Sequence, residues 1–577
     1  MKKAMRYFGL ANIILITSLA LLSCHRQIHA QAPIIVDELG YRPGDQKLAF
    51  TKEAHADPFV IVDTKTNKEV FRGQPRQIGI NDPNTGESVF GLDFSGLSEP
   101  GTYRIVFMDT ADHSDPFSIN DDVYTSVALA SLRSFYFQRC GTEVGEGTPW
   151  SHKACHTRPA LFFDDPSKSK DVSGGWHDAG DYNKFVPTTA VSAAFLLYIY
   201  SLQPQKFDDG QLRIPESHNG IPDILDEARW GLAWLLKMQR SDGGVYHKVS
   251  IKEWTGEHLP DEETDTQYIF DVSSTATGDF AAVTALGARI FARWDKAFAD
   301  ELLRSSENAW SFLDRHQTIV PPGGFKNPDG VQGGEYGDGQ DEDERMWAAV
   351  ELFRTTGNTK YNEYFLAHYK DLGGVNYTVS WQNVQNFAYF SYLNVPIDAR
   401  NYDARSFIIA TMTTYCDALW KQIRGNGYRY VLTPEQEYWG SNSVALGHAF
   451  DLINAFEFTK FRGYLEGAVD QLHYMLGRNA FGTVFVTGDA PHFVHHPYHQ
   501  WSMLEYGRDP IPGLLVGGCN KFSRLGGREL SQYPGLCYED NPKNYYVNEP
   551  AINYTAAFAY VASYCASMGG QNMAEQK

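Results

Sequence analysis

The sequence predicts two domains, a small all-β sandwich followed by a large all-α barrel. At 577 residues the chain is too long for one ordinary domain. Residues 33–118 alternate apolar and polar side chains between turns rich in Gly, Pro, Asn and Asp, which is the pattern of short strands. Residues 121–572 instead repeat apolar side chains at the helical period. The domain boundary is therefore predicted between residues 118 and 121.

Five short segments of the first region are predicted strands: Ile34–Val36, Lys47–Phe50, Phe59–Val62, Val89–Phe94 and Gly101–Val106. Short strands separated by turns are typical of a small β-sandwich. No group of catalytic residue types lies in this region. Its predicted task is to brace the larger domain.

Nine stretches of the second region are predicted helices: 123–138, 188–203, 222–239, 276–293, 344–356, 403–422, 443–458, 462–476 and 551–567. So many helices of similar length predict an all-α barrel or toroid of helical hairpins. Long loops join them at 148–187, 241–275, 317–343 and 478–550. Long ordered loops on a helical scaffold usually carry function.

The composition argues against nucleic acid as a partner. Asp and Glu number 70 against 50 Lys and Arg, which gives a formal net charge of −20. Such a surface repels polyanions. The aromatic content of 14 % suits either a large helical core or a groove that stacks on flat apolar ligand faces.

Residues 1–24 have the pattern of an export signal. A basic start precedes an apolar run from Leu10 to Leu22, which is too short to be assigned as a membrane-spanning helix. A small residue before Cys24 is typical of a bacterial lipoprotein signal, so lipid is predicted on the Cys24 thiol. This predicts a cell-surface or outer-membrane lipoprotein with no other membrane contact. Ordinary cleavage near Ala30, giving a periplasmic or secreted protein, is the alternative.

Asp178 and Asp181 form the densest catalytic signal, within the segment Gly-Gly-Trp-His-Asp-Ala-Gly-Asp-Tyr-Asn. Two carboxylates three residues apart, with Gly180 between them, can point at one water molecule. The same residue types are also common in plain turns, where Asp side chains bond to their own backbone. Taken alone, the two interpretations are about equally good.

Glu549 supplies a second signal near the C-terminus, where a loop enters the last apolar helix. Tyr545, Tyr546 and Tyr554 surround it in sequence. A poorly solvated aromatic setting raises a carboxyl pKa and keeps the group protonated as an acid. The alternative is a carboxylate that only stabilises the helix N-terminus.

Together, these two segments closely resemble glycoside hydrolase family 9. The resemblance covers nearly the whole mature chain and includes an immunoglobulin-like (Ig-like) domain, matched by residues 37–41 and 101–104. It implies an (α/α)6 barrel that hydrolyses β-1,4-glucans with inversion. Carried over by motif, Asp181 is the general base, Asp178 holds the same water, and Glu549 is the general acid. Inversion needs such an acid and base on opposite faces of the scissile bond.

The resemblance also implies sugar stacking on Trp439, within Tyr-Trp-Gly-Ser-Asn, and a subsite role for Tyr554. Either ring could instead belong to the core. A third motif departs from the family pattern, Pro-His-His-Arg. Here Pro497 precedes Tyr498, His499 and Gln500, which are expected to contact the sugar in an altered way, with His499, or His495 or His496 in a shifted register, compensating in part.

Four residues are candidates for a structural zinc site: Cys140, Cys155, His156 and His177. Two thiolates and two imidazoles are zinc-ligand chemistry, but their spacing is not that of a compact zinc finger. From the residues alone, two buried thiols and two unrelated histidines are the better interpretation. The resemblance reverses that order and implies zinc. The sparse cysteines do not indicate a disulfide framework.

A calcium site is implied more weakly at the start of a helix, by Gly339, Gln340, Asp343 and Glu344. Oxygen-rich loops suit Ca²⁺. A distal Asp that usually completes the family's site is replaced here by Gln382 or Asn383. The alternative is a solvated acidic helix start. No organic cofactor is implied.

The implied activity is endo-acting hydrolysis of β-1,4 bonds in cellulose, xyloglucan or mixed-linkage glucan, by a monomer whose partner is the polysaccharide. The alternatives are an exo-acting β-glycosidase on cello- or chito-oligosaccharides and a non-catalytic surface glycan-binding lipoprotein. All three predicted catalytic carboxylates are present, which disfavours the binding protein.

Overall fold

The computed structural model describes residues 32–145, 147–488, 490–505 and 508–568. The predicted export segment 1–24, with the predicted lipid attachment at Cys24, lies outside the described residues. Within the described residues, none of the helices combines the length and apolar character needed to cross a bilayer.

The first domain is a sandwich of two sheets. Its strands are β1 (Ile34–Ile35), β2 (Gly40–Tyr41), β3 (Leu48–Thr51), β4 (Phe59–Asp63), β5 (Glu69–Gly73), β6 (Arg76–Gly79), β7 (Val89–Asp93), β8 (Gly101–Phe107) and β9 (Phe117–Ile119). One sheet has the order β1-β3-β7-β6 and the other β2-β9-β8-β4-β5.

Alternate residues of β8 point into this sandwich, as period-two patterning requires. Tyr103, Ile105 and Phe107 are buried, whereas their neighbours are partly exposed. The five predicted strands agree with β1, β3, β4, β7 and β8 to within one residue at each end. The sequence analysis missed β5 and β6, whose side chains are mostly exposed, and the short β2 and β9.

The second domain is helical. Its helices are α1 (Thr125–Phe137), α2 (Val186–Leu202), α3 (Asp223–Lys237), α4 (Ser274–Phe291), α5 (Lys296–Arg315), α6 (Glu342–Thr356), α7 (Thr359–His368), α8 (Gln385–Leu393), α9 (Tyr402–Gly425), α10 (Ser441–Thr459), α11 (Arg462–Met475), α12 (Gln500–Leu504), α13 (Tyr545–Asn548) and α14 (Ile552–Cys565).

Helices α2, α4, α6, α8, α10 and α14 form an inner ring, and α1, α3, α5, α7, α9 and α11 pack outside it. Inner helix α2 buries 14 of its 17 residues, whereas outer helix α9 buries only 6 of 24. Inner helix α2 is therefore buried on nearly every side, whereas outer helix α9 is buried on one side only. The sequence analysis missed α5 and α7, which have polar outer faces, and α8, which is short.

Four aromatic side chains from the inner ring meet at the barrel centre. Phe195 of α2 lies 5.2 Å from Phe387 of α8 and 5.4 Å from Phe450 of α10, measured between ring centroids. Tyr560 of α14 lies 5.0 Å from Phe450. These edge-to-face contacts join helices that are far apart in sequence.

The long loops contain short strands that the sequence analysis did not predict. These are β10 (Ala160–Phe162), β11 (Ser169–Lys170), β12 (Lys184–Phe185), β13 (Val245–Tyr246), β14 (Lys248–Ser250), β15 (Tyr268–Ile269) and β16 (Val272–Ser273). Strands of two or three residues are too short to show a sequence period. The pairing of β12 with β14 anchors the segment that follows Asp181.

The Ig-like domain is tied to the barrel by buried polar contacts. Asp37 Oδ2 lies 2.7 Å from Nδ1 of His473 on α11. Nζ of Lys52 donates a 2.8 Å hydrogen bond to the carbonyl oxygen of Ala480. Buried hydrogen bonds of this kind fix the orientation of one domain on the other.

Replacing Phe450 with Ala is expected to destabilise the barrel, because the large cavity left by the ring lies where four helices meet. Such changes cost about 3–5 kcal/mol. The midpoint of urea unfolding should fall clearly below that of the wild type. The control is Phe461→Ala, which removes a ring that is 44 % exposed and should change the midpoint little. Equal midpoints for the two variants would contradict the central role of the cluster.

Candidate active site

A cleft of about 740 Å³ lies over the inner helices of the barrel. The residues that line it include Asp178, Asp181, Tyr336, Trp381, Tyr438, Trp439, Glu549 and Tyr554. The cleft thus brings together the three predicted carboxylates and both predicted stacking residues. Acid groups beside apolar rings are typical of a carbohydrate site.

Asp178 is buried and held by two hydroxyl groups. Thr188 Oγ1, on α2, donates to Asp178 Oδ1, and the hydroxyl of Tyr336 donates to Oδ2 at 2.8 Å. Burial, and then the charge of Asp181, raise the pKa of Asp178 to about 7, although the two hydroxyl donors act in the opposite direction. Sequence reasoning missed Thr188 and Tyr336, because neither lies near Asp178 in a recognisable motif.

Asp181 is only partly buried and faces the cleft. Its Oδ1 accepts a 3.1 Å hydrogen bond from the backbone N–H of Asn183, and its Oδ2 accepts a 2.7 Å bond from Asn183 Nδ2. Desolvation raises the pKa of Asp181 to about 6, against the lowering effect of these two donors. The carboxyl group is therefore mostly ionised at neutral pH, as a general base requires.

Glu549 lies against the turn that carries the two aspartates. Its Oε1 accepts a 3.2 Å hydrogen bond from the backbone N–H of Gly180. Burial, followed by the charges of Asp181 and Asp178, raises the pKa of Glu549 well above its usual value. The raised pKa favours the protonated form of Glu549, whereas Asp181 is mostly ionised, and acid–base catalysis needs such a difference.

The turn is clamped by the third motif. The backbone N–H of Gln500 donates to the Gly180 carbonyl oxygen at 2.9 Å, and the N–H of Tyr498 donates to the Asn548 carbonyl oxygen at 2.9 Å. A Cβ on Gly180 would lie 2.2 Å from the Tyr498 carbonyl oxygen, so only glycine fits there. One short segment thereby holds both the aspartate turn and the residue before Glu549.

The structure corrects the predicted sugar contacts of His499 and Gln500, because both side chains are buried and neither lines the cleft. His499 Nε2 lies 3.1 Å from Gln138 Oε1, and Gln138 Nε2 donates to the Ala179 carbonyl oxygen at 3.2 Å. Gln500 Oε1 accepts a 2.9 Å hydrogen bond from a backbone N–H at residue 258. Both residues therefore support the aspartate turn through buried contacts outside the cleft. These two contacts were predicted wrongly because the sequence of a long loop does not show which of its side chains are buried.

Tyr498 also lies outside the cleft lining. Its ring is partly buried and lies 5.6 Å from the ring of Tyr545. His495 and His496, the alternatives in a shifted register, do not line the cleft either; their backbone N–H groups donate to Asp540.

Trp439 is the most exposed aromatic ring at the cleft, with 42 % of its surface accessible. Its ring centroid lies 5.7 Å from that of Tyr545 and 5.3 Å from that of Tyr546. Tyr554, on α14, also lines the cleft with Trp439 and Glu549. Its hydroxyl group lies so close to Gly440 that a Cβ on that residue would meet it at 2.7 Å. An exposed indole held by neighbouring rings can stack on the apolar face of a sugar.

The cleft lining also contains aromatic residues that were not selected from the sequence. Trp381 packs edge-on against Tyr336, with ring centroids 5.0 Å apart. The hydroxyl groups of Tyr377 and Tyr438 are hydrogen-bonded to each other. Isolated aromatic residues in a chain with many of them carry no local signal for a cleft.

Comparison with known proteins decides the family. Residues 124–562 match the family model described as Glycosyl hydrolase family 9, and residues 29–111 match the Cellulase N-terminal ig-like domain. The chain belongs to glycosyl hydrolase family 9. The predicted family and its Ig-like domain are confirmed.

Relatives match the chain over most of its length. Endoglucanase D of Acetivibrio thermocellus is 31 % identical over 536 residues, which cover 91 % of this chain and 82 % of the relative. Xyloglucan-specific endo-beta-1,4-glucanase BoGH9A of Bacteroides ovatus is 31 % identical over 589 residues, which cover 97 % and 98 %. The crystal structure of a metagenome-derived glycoside hydrolase family 9 endoglucanase has a TM-score of 0.86 at 34 % identity, covering 92 % of this chain and 99 % of that one. The (α/α)6 fold is confirmed.

This family 9 chain has a group of four residues that can hold a metal ion. The ligand atoms of Cys140, Cys155, His156 and His177 all lie within 4.8 Å of one another. His156 Nε2 lies 3.2 Å from Glu263 Oε1, and its buried Nδ1 has no hydrogen-bond partner among the described residues. A carboxylate on one ring nitrogen directs the other towards a metal. The donor set fits tetrahedral zinc.

The predicted calcium residues Asp343 and Glu344 are buried in the first turn of α6. Asp343 Oδ2 accepts a 2.8 Å hydrogen bond from the Val384 N–H. Asp343 Oδ1 and Glu344 Oε2 have no hydrogen-bond partner among the described residues. Gly339 and Gln340 precede them in the loop, and Gln340 also lines the cleft.

Asp279 of α4 and Asp338 enlarge this acidic group, and the sequence analysis selected neither. Neither oxygen of the fully buried Asp279 has a hydrogen-bond partner among the described residues, and the same holds for Asp338 Oδ2. Burial, then the charges of Asp343 and Asp338, raise the pKa of Asp279 well above its usual value. Asn383, at the distal position, has a buried side-chain oxygen that is also unpaired within the described residues. Buried oxygens without a hydrogen-bond partner suit a hard cation such as Ca²⁺.

Replacing Gly180 with Ala is expected to lower kcat/KM for glycoside hydrolysis by about 10²-fold, since a displacement of about 1 Å at the reacting groups is enough for such a loss. The added Cβ must move the turn away from Tyr498. Gly44→Ala is the matched control, because nothing lies within 4 Å of a Cβ there. Unchanged activity in a folded Gly180→Ala variant would contradict the clamp.

Proposed function

We propose that this protein is an inverting endo-β-1,4-glucanase in which Asp181 is the general base, Asp178 its partner on the water, and Glu549 the general acid. The observation that carries the proposal is the meeting of these carboxyl groups in one cleft bordered by Trp439. Unequal upward shifts support the assignment: a pKa of about 6 leaves Asp181 mostly ionised at neutral pH, whereas the pKa of Glu549 is raised well above its usual value, which favours its protonated form.

In the proposed reaction Asp181 takes a proton from a water molecule as that water attacks the anomeric carbon. Glu549 gives its proton to the glycosidic oxygen as the bond between this oxygen and the anomeric carbon breaks. Asp178, oriented by Thr188 and Tyr336, accepts a hydrogen bond from the same water. Attack from the face opposite the leaving group inverts the anomeric carbon.

The proposed substrate is a soluble β-1,4-glucan, with xyloglucan as the first candidate. Xyloglucan is the substrate named for the Bacteroides ovatus relative, which aligns over 98 % of its own length. Trp439, Tyr554 and Trp381 are the proposed sugar-stacking residues, because their rings line the cleft.

Glu549→Gln is expected to lower kcat by at least about 10²-fold, because the amide cannot protonate the leaving oxygen. Glucan binding should remain, since the amide keeps the size and the hydrogen-bond acceptor of the side chain. Reducing-sugar release and affinity electrophoresis measure the two properties. Glu363→Gln, on the exposed side of α7, is the control. Equal inactivity of wild type and Glu549→Gln, with binding intact, would favour the glycan-binding lipoprotein.

Product analysis on xyloglucan, mixed-linkage glucan, soluble cellulose derivatives and short cello- and chito-oligosaccharides tests the mode of attack. Internal cleavage should lower the viscosity of a polymer early and release fragments of mixed size. A single short product from the first minutes, with viscosity unchanged, would instead support the exo-acting alternative.

We also propose that Cys140, Cys155, His156 and His177 hold a structural zinc ion. When bound, zinc would fix His177 and so steady the neighbouring Asp178. The unpaired Nδ1 of His156 and the closeness of the four donors support this assignment.

Asp343 and Glu344, with the loop at Gly339 and Gln340, are proposed to hold calcium, and Asp279 is proposed to replace the missing distal aspartate. The ion would neutralise buried carboxylates that otherwise repel each other. The unpaired buried oxygens of Asp279, Asp343 and Glu344 support this proposal.

The variant Asp279→Asn tests the calcium site through the sign of its change in melting temperature relative to the wild type. With excess Ca²⁺ we expect the variant to melt at a lower temperature than the wild type, because a ligand is lost. In EGTA the order should reverse, because one of several repelling carboxylates is gone. Asp300→Asn, on the exposed part of α5, is the control. A higher melting temperature for Asp279→Asn in both buffers would contradict the calcium site.

Export and lipid attachment at Cys24 remain proposals that rest on the sequence of residues 1–24. A cell-surface enzyme would meet polymers too large to enter the cell, which agrees with an endo-acting role. Periplasmic or secreted placement is the alternative.

A further inference from the structure

A small cavity of about 90 Å³ lies where the Ig-like domain meets the barrel, far along the chain from the catalytic carboxylates. Its lining includes Ile35, Glu38 and Asp115 from the Ig-like domain and Phe481 and His492 from the barrel loops. None of the described residues that line it is Lys or Arg. The two carboxylates therefore have only the imidazole of His492 as a basic side chain among the described residues that line the cavity.

Three potential ligand atoms converge in this cavity. The nearest donor atoms of Glu38, Asp115 and His492 all lie within 4.8 Å of one another. His492 Nε2 lies 3.1 Å from Asp115 Oδ2. Glu38 is 7 % exposed, and its Oε2 has no hydrogen-bond partner among the described residues. A buried carboxylate oxygen without a partner is costly unless a cation or a proton meets it.

The backbone of the barrel holds Glu38 in place. Its N–H donates a 2.8 Å hydrogen bond to the carbonyl oxygen of Leu476 in the barrel. Gly477 has φ +108°, and a Cβ there would lie 2.6 Å from Glu38 Cγ. This close approach keeps the Glu38 side chain at the cavity, so its position does not depend on a flexible rotamer.

We propose that Glu38, Asp115 and His492 bind one divalent transition-metal ion, of the size and ligand preference of Zn²⁺ or Mn²⁺, which joins the Ig-like domain to the barrel. Two carboxylate oxygens and one imidazole nitrogen suit such ions, whereas the imidazole disfavours Ca²⁺. Water can complete the coordination shell, since a water molecule occupies about 30 Å³.

A proton is the alternative occupant of this group. Burial, then the charges of Asp115 and Asp37, raise the pKa of Glu38 to about 9. A metal ion would displace this proton on binding, because carboxylate ligands bind in the ionised form. If a metal ion is the occupant, the purified protein retains an ion that is lost when Glu38 is replaced. If a proton is the occupant, no retained ion depends on Glu38.

Zinc content of the purified full chain tests the proposal. The protein is stripped with a chelator, dialysed against Zn²⁺, passed through a desalting column and analysed by mass spectrometry. We expect Glu38→Gln and Asp115→Asn each to hold one zinc ion fewer per chain than the wild type. Cys155→Ser removes a ligand of the separate Cys–His site and should therefore lose the zinc ion of that site instead. His368→Gln is the matched control. His368 lies 2.8 Å from Asp371 at an exposed position, and no third ligand joins these two among the described residues.

Equal zinc content in the wild type, Glu38→Gln and Asp115→Asn would overturn the proposal and leave Glu38 with a proton only. Loss of the same ion in His368→Gln would overturn it as well. Asp115 is about one-third exposed, so Asp115→Asn should fold even if Glu38→Gln does not. A second readout is the melting temperature, which Zn²⁺ should raise more in the wild type than in Asp115→Asn.

Discussion

The active site depends on one close contact, that of Gly180 with the backbone of Tyr498. The space there admits no side chain, so the aspartate turn can lie directly on the third motif. That motif in turn bonds to the backbone at Asn548, one residue before Glu549. The proposed base, Asp181, and the proposed acid, Glu549, lie on segments far apart in sequence and are thereby held together through a few backbone hydrogen bonds. The barrel supplies the fixed helix ends on which this assembly is built.

Desolvation in the cleft is the main cause that raises the pKa values of the three carboxyl groups. The charge of Asp181 adds to this effect for Asp178 and Glu549. Asn183 donates two hydrogen bonds to Asp181, and these lower its pKa against the effect of desolvation. Glu549 accepts a hydrogen bond from the Gly180 N–H, and its pKa is raised well above its usual value. Desolvation and local hydrogen bonds therefore give chemically similar groups different tendencies to ionise.

The sequence predicts those parts of the structure that have a period or a motif. Strand β8 and helix α2 follow from their patterns, whereas α5 was missed because its polar outer face weakens the apolar signal. The three carboxylates were selected from local motifs. Tyr336 and Asp279 were not, because folding alone brings them to Asp178 and Asp343. His499 and Gln500 were assigned to the sugar because a motif gives no measure of burial.

The proposed metal sites and the proposed catalytic residues lie in the same loops. The Cys–His group includes His177, the residue before Asp178, and the acidic group at Asp343 lies beside the loop that also contributes Gln340 to the cleft. The central claim is that Asp181 and Glu549 act from opposite faces of the bond. Proton NMR of the newly formed reducing end during hydrolysis of a β-1,4-glucan tests it most directly. The account predicts that the α-anomer appears first, and initial formation of the β-anomer would contradict it.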